Sequence, residues 1–452
     1  MSHDRRTLSS FLGPACCFAL ASSATFGQSD IPQHPVVKEN EARLNQLSSE
    51  LEKSFVIGPT VADALGYRVV WQARLPAQTP LRAVRVGTLG IYVLDEKNVI
   101  ARLRPSDGEI LWRISVADEV DIFRGVTWAE VPVTTASTGR GPTVTMEPRA
   151  FLSTDTECFA IDPNSGTVVS RQRFKKLPGT EPLAVGADLV YGTIGNQVVW
   201  HNCVLGFEVH ANSLDSKSRS RPIRAGGNVV AASERGMLLC MDAETAATRW
   251  IAHTLGGIVA SPATGDGMIY VAATDQYLWA FDARTGQFRW RYFTQSPLTT
   301  PPYPVSGAVL QFVPDEGLVS LAANADGKVD GVVRWRNKEA TGVPIGLIGG
   351  DILLWDASKR VAMVVDTERG SVRQRHELPQ VDELFLATRG PFENDLFGLA
   401  RDGRVVRLTP KRSASAYAPP MPSAAPTAMP ASIPLSIPPK TDDTASAPKS
   451  ST

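Results

Sequence analysis

A tight-turn signature recurs four times in this chain at intervals of about forty residues, and a repeat of that period constrains the fold more than any other feature. Its first residue is Asp162, Asn202, Asp242 and Asp282 in turn. A glycine follows four positions later at Gly166, Gly206 and Gly286, with Ala246 standing in once, and four positions beyond lie Ser170, His210, Trp250 and Trp290. The clearest copy is MIYVAATDQYLWAFDARTGQFRW, from Met268 to Trp290. Apolar residues alternate through Ile269 to Ala272 and again through Tyr277 to Phe281, on either side of Thr274-Asp275, which reads as two strands and a hairpin. Asp282-Ala-Arg-Thr-Gly286 then forms a second turn, in which the Asp side chain can accept from its own backbone and Gly can take positive φ, before a third strand ends in Trp290. Three antiparallel strands cannot bury both their faces alone, so the unit needs its copies.

Outside this block the cadence returns with drift at Gly108 to Trp112, at Gly331 to Trp335 and at Asp366-Gly370-Gln374, giving seven turns. Asp395 to Leu408 supplies two further strands and stops. At the other end of the chain Tyr67-Arg-Val-Val-Trp71 alternates as a strand should and ends in a Trp with no turn before it. If Trp71 completes the last unit, the repeats close into a ring and no sheet edge is left to template aggregation. The expected fold is therefore all-β: an eight-bladed β-propeller over residues 61–410, or seven blades if Asp188 to His210, whose turn is the most degenerate, is not a full unit.

The pattern A-x-D-x-x-T-G-x-x-x-W fits Ala280 to Trp290 position by position, and Ala243 to Trp250 fits its second half. It resembles the repeats of the quinoprotein (PQQ-like) β-propellers, which serve quinone-dependent dehydrogenases and also non-enzymatic proteins such as the propeller subunit of the outer-membrane β-barrel assembly machinery. The resemblance covers the stretch from Tyr67 to Pro410. It implies that the terminal Trp of each unit docks between adjacent blades and caps the neighbouring turn, a position held here by Trp71, Trp112, Trp250, Trp290 and Trp335. An indole there buries about 200 Å², worth up to about 5 kcal/mol, and its N–H needs the carbonyl that a turn offers. Ser170, His210 and Gln374 occupy the same register without an indole, so three junctions are expected to be weaker.

An enzyme of this kind implies a calcium ion held by carboxylate and amide oxygens, an aromatic floor beneath the quinone, an Asp as general base and, in many cases, a disulfide between adjacent cysteines. The adjacent pair here, Cys16 and Cys17, falls in an expected export signal, and the other motifs do not map residue by residue. Asn324 to Gly331 starts like a calcium loop, but Lys328 replaces a ligand and Trp335 stands where the closing Glu belongs. His201 and His210 have neither HExxH nor Cys-pair spacing, and Ser261 and Ser306 lack a G-x-S-x-G context. No catalytic, cofactor-binding or metal residue is assigned and no cofactor is expected. The expected function is a non-catalytic, extracytoplasmic, protein-binding scaffold, with a PQQ- and metal-dependent oxidoreductase as the alternative.

The flanks support export. Residues 1–27 combine Arg5-Arg6, an apolar run from Phe11 to Ala21 too short to span a bilayer, and small residues at Ala19-Leu20-Ala21 or Thr25-Phe26-Gly27, which reads as a signal peptide and leaves no transmembrane segment in the mature chain. Cys158, Cys203 and Cys240 then remain, an odd number without short spacing, expected as small apolar residues rather than a disulfide framework. Residues 28–60 hold an expected helix from Val37 to Phe55 with Leu44, Leu47, Leu51 and Phe55 on one stripe, packed on the ring's rim or pairing with a partner. Residues 411–452 are rich in Ala, Ser, Pro and Thr and are expected to be a disordered tail. Lys+Arg and Asp+Glu balance at 46 each with no basic block, which argues against nucleic acid.

One insertion stands out. The gap from Val126 to Pro148 is longer than the others by about twenty residues and reads as an extra hairpin on the second blade. Its Trp128 and Met146 are the candidate anchors for a protein partner in the cell envelope, since large apolar side chains dominate interface energetics. A monomer is expected, and deletion of Val131 to Thr145 is expected to spare the ring.

Overall fold

The computed structural model describes residues 43, 46–47, 49–76, 80–137, 140–323, 331–388 and 390–411. The expected signal peptide, the start of the expected helix, the Asn324 to Asp330 loop and the tail beyond Lys411 lie outside them. Eight four-stranded antiparallel sheets follow one another along the chain. Blades 1 to 7 occupy residues 81–115, 123–173, 183–213, 223–253, 263–293, 303–337 and 343–377, and blade 8 combines 383–410 with 67–74. Asp188–Gly192, Gln197–Asn202 and Phe207–Ser213 pair in a complete blade 3, so the eight-bladed expectation holds over the seven-bladed one.

Each blade has one strand more than its alternation reveals. In blade 5 it is Ala263–Gly265, which pairs with Met268–Ala272 ahead of Tyr277–Asp282 and Phe288–Phe293. First strands of successive blades touch one another and so line the central axis. The antiparallel path then sends the first-to-second and third-to-fourth turns to one end of the ring, here the turn face, and the second-to-third hairpins and interblade links to the other.

Ring closure is made by Tyr67–Arg74, which pairs antiparallel with Arg404–Pro410 from Tyr67↔Pro410 to Arg74↔Arg404. The chain ends thus share one sheet, and blade 8 reaches the same four strands as the other blades.

The described residues among 43–54 are helical, with Leu47 and Leu51 exposed, and the segment that packs lies after them. Val56, Ile57, Ala62 and Leu65 join Leu353, Trp355, Leu384, Leu396 and Leu408 in a buried cluster at the junction of blades 7 and 8, around the short helix Pro59–Ala64. Gln72 fixes it in place, accepting from the Val56 N–H at 2.7 Å and donating to the Ser54 carbonyl at 3.0 Å. Among the described residues no helix is long and apolar enough to cross a membrane. The compact unit ends at Pro410.

Candidate functional site

The turn face is built from one local device. Asp282 Oδ1 accepts from the N–H groups of Arg284 (3.1 Å) and Thr285 (2.9 Å) and from the Thr285 hydroxyl (2.9 Å), while the Gly286 N–H returns to the Asp282 carbonyl at 2.8 Å. Gly286 has φ +71°, and a Cβ there would lie 2.5 Å from the Trp250 indole of the preceding blade, so the turn needs glycine twice over. Asp162, Asn202, Asp242 and Asp366 make the same side-chain-to-backbone bonds. Hydrogen bonds from Arg289 and the turn backbone hold the Asp282 carboxyl well below the usual range.

Indoles seat on these turns. Trp71 donates to the Pro105 carbonyl at 2.8 Å, Trp112 to Pro163 at 2.8 Å, Trp250 to Ala283 at 3.2 Å and Trp335 to Thr367 at 3.0 Å, and Trp290 lies against Gly331. The three junctions without an indole in that register carry other contacts in its place. Trp200, directly across the strand pair from His210, donates to the Ala243 carbonyl at 3.1 Å and is fully buried. Gln374 faces blade 8, which has no third-to-fourth turn because its outer strand comes from the chain start, and the 56–65 segment packs there instead. At Ser170 the contact passes to Gln172, whose amide donates to the Cys203 carbonyl at 2.6 Å.

The hairpin is the part of this face that projects. Phe123–Ser137 and Arg140–Thr154, fifteen residues each, pair out to Ser137↔Arg140 with register shifts near both ends, whereas the equivalent strands of blades 3 to 5 have three and five residues. Its two sides differ. Val131 and Val133 turn toward blade 3 and share a cluster with Leu189, Tyr191 and Cys203, so a deletion from Val131 removes core as well as projection. On the other side Trp128 packs on Tyr92, with ring centroids 5.8 Å apart, and against Gly87 of blade 1. Further out on that side, paired with Thr134 and Pro132, stand Val144 and Met146, 63% and 57% exposed. Trp128 therefore sits at the root and Met146 on the projecting surface. Spacing could not have separated them, because it gives neither the hairpin's lean nor its contact with blade 1. Leu205 and Phe207 of blade 3, 58% and 55% exposed, extend the apolar character of the face.

The axial channel carries paired charges. Arg85 lies 3.6 Å from Glu383 and Arg221 3.5 Å from Glu181. Burial raises the Glu383 carboxyl, and Arg85 opposes that shift. Thr388 reaches both the cavity beside Arg85 and Glu383 and the one beside Arg221, Arg224 and Thr264. A calcium-held quinone needs clustered oxygen ligands over an aromatic floor. Here the carboxylates already face guanidinium groups, and among the described residues no three His, Cys, Asp or Glu side chains gather as a ligand set. The residues do not fit that group.

Eight four-stranded blades, Asp–Gly turns and indoles docked on them define a PQQ-like β-propeller. Residues 154–338 match the family model described as outer membrane protein assembly factor BamB, which the chain resembles in its propeller repeats. Among solved structures, BamB from Moraxella catarrhalis matches with a TM-score of 0.58 at 18% identity, over 77% of this chain and 98% of that one. The computationally designed Ika8 protein matches with a TM-score of 0.56 at 12% identity, over 75% and 99%. These likenesses are in fold, and one of them being a designed protein underlines that the fold alone does not carry a job. No curated protein matches the chain.

Proposed function

We propose that the chain is a non-catalytic scaffold of the cell envelope that binds a protein partner in outer-membrane protein assembly. Its site is the projecting hairpin on the turn face. The observation that carries this reading is the exposure of Val144 and Met146 together on a strand pair braced by blades 1 and 3, so the apolar surface is presented rigidly and little ordering entropy opposes docking. The matched family description and the BamB likeness favour outer-membrane assembly as the setting; the export signal read in residues 1–27 places the chain outside the cytoplasm in this proposal, where it acts as a monomer. The test is recovery of envelope proteins on the immobilised full chain against a Val144→Ser/Met146→Ser variant of unchanged melting temperature. Lower recovery on the variant supports the reading, and equal recovery removes the hairpin from it. Saturable binding of pyrroloquinoline quinone with calcium, accompanied by dye-linked alcohol or sugar oxidation, would replace the scaffold with an oxidoreductase.

A further inference from the structure

Blades 2 and 3 meet without a docking indole, and two cysteines meet there instead. Cys158, on the third strand of blade 2, pairs in register with Gln172 on the fourth, so both side chains leave the sheet on the same face. Gln172 reaches the turn of blade 3, donating to the Cys203 carbonyl at 2.6 Å and meeting His201 Nε2 at 2.9 Å through its own oxygen. The backbone of Cys203 is thus held against the strand pair that carries Cys158. Both side chains are buried, 1% and 6% exposed, in one cluster with Phe151, Phe174 and Tyr191. Both are free thiols in this structure. Cys240 stands elsewhere, opposite Trp250 in blade 4.

We propose that Cys158 and Cys203 are joined as a disulfide when the chain folds in contact with a disulfide oxidant, making a covalent clasp between blades 2 and 3. In the first step the Cys158 thiolate attacks a sulfur of the oxidant, forming a mixed disulfide and releasing one oxidant thiolate. The Cys203 thiolate then attacks the Cys158 sulfur and expels the second. Two protein thiols lose two electrons and two protons, and the oxidant's disulfide becomes two thiols. The timing follows from the environment: the neighbouring Cys158 thiol and burial both raise the Cys203 thiol, so little thiolate exists once the cluster has closed, and exchange belongs to the folding chain. A spacing-based reading misses the pair because the cysteines lie in successive repeats at different register positions, and only the lean of one blade on the next unites them.

The test refolds the reduced full chain with a reduced and oxidised glutathione couple, alkylates it under denaturing conditions without reductant, and maps the peptides by mass spectrometry. The expected result is a linked Cys158–Cys203 peptide with Cys240 alkylated, and a melting temperature several degrees above that of chain refolded in dithiothreitol. The Cys158→Ala variant should show no such difference between the two preparations. Alkylation of both Cys158 and Cys203 after oxidative refolding, linkage of either to another cysteine, or a melting temperature indifferent to the redox couple would overturn the clasp.

Discussion

Trp200 does from a third strand what five other indoles do from a fourth. The two positions are cross-strand partners, Trp200 opposite His210 as Cys240 is opposite Trp250, so a side chain from either one can reach the next blade's turn. The repeat spacing points to Trp71, Trp112, Trp250, Trp290 and Trp335 because it counts along one strand, and for the same reason it passes over Trp200. Truncation separates the two positions: Trp200→Ala should lower stability by about 3–5 kcal/mol in urea denaturation, whereas His210→Ala, which removes an exposed side chain, should lie within about 0.5 kcal/mol of wild type. The neighbouring His201 gives a pH signature. Burial takes its imidazole down to about 4, partly opposed by Glu208, while an unfolded chain titrates near 6.5. Because the unfolded state takes the proton first, stability is present above about pH 6.5 and is lost as pH falls toward 4, by up to about 3 kcal/mol. Turn carboxylates act lower: hydrogen bonds from Arg373 and the backbone hold Asp366 down at about 2, so its contribution is lost only as pH falls from about 4 toward 2. Denaturation at pH 7, 5.5 and 4 should show the upper slope in wild type and a shallower one in His201→Gln, where His376, which burial also lowers, still contributes.

At the scale of elements, what could be read from the sequence followed its periodicity. Second, third and fourth strands are five to seven residues long in blade 3, enough to alternate, while the first has only three, Leu183–Val185, and gives no period. The hairpin was legible as excess length between repeats, but not the division of its surface into a root against blades 1 and 3 and an exposed outer side. The chain start divides differently from its apolar stripe: Leu47 and Leu51 are exposed, and the residues that seal the junction of blades 7 and 8 are Val56, Ile57, Ala62 and Leu65, with no helical stripe of their own. Ile57 is fully buried, and its Cδ1 lies 2.9 Å from where a Cβ on Gly398 would be, so the segment is fitted closely to blade 8. Ile57→Ala should therefore cost about 2–5 kcal/mol, measurable by urea denaturation, and a cost near zero would mean that the segment only rests on the ring.

The whole molecule is a ring whose two ends must find each other. Tyr67–Arg74 completes blade 8 and brings Trp71 to the Pro105 carbonyl, where Arg407 also donates, so one strand closes both the sheet and the junction to blade 1. A chain beginning at Leu81 should lose its single cooperative melting transition and form oligomers through the exposed edge of Arg404–Pro410, as read by light scattering. Closure was legible because the two-strand remainder at one end matched an orphan strand at the other. Function was far less so, because rings of this kind commit their strands to packing and leave recognition to loops and insertions. As proposed, this ring is a scaffold whose hairpin holds a partner of the outer-membrane assembly apparatus. This is tested most directly by titrating the purified full chain onto purified β-barrel assembly machinery in biolayer interferometry, alongside the Val144→Ser/Met146→Ser variant. The account expects saturable binding by wild type and binding weaker by roughly tenfold or more in a variant of equal melting temperature. No binding by wild type, or equal affinity of the two proteins, would contradict it.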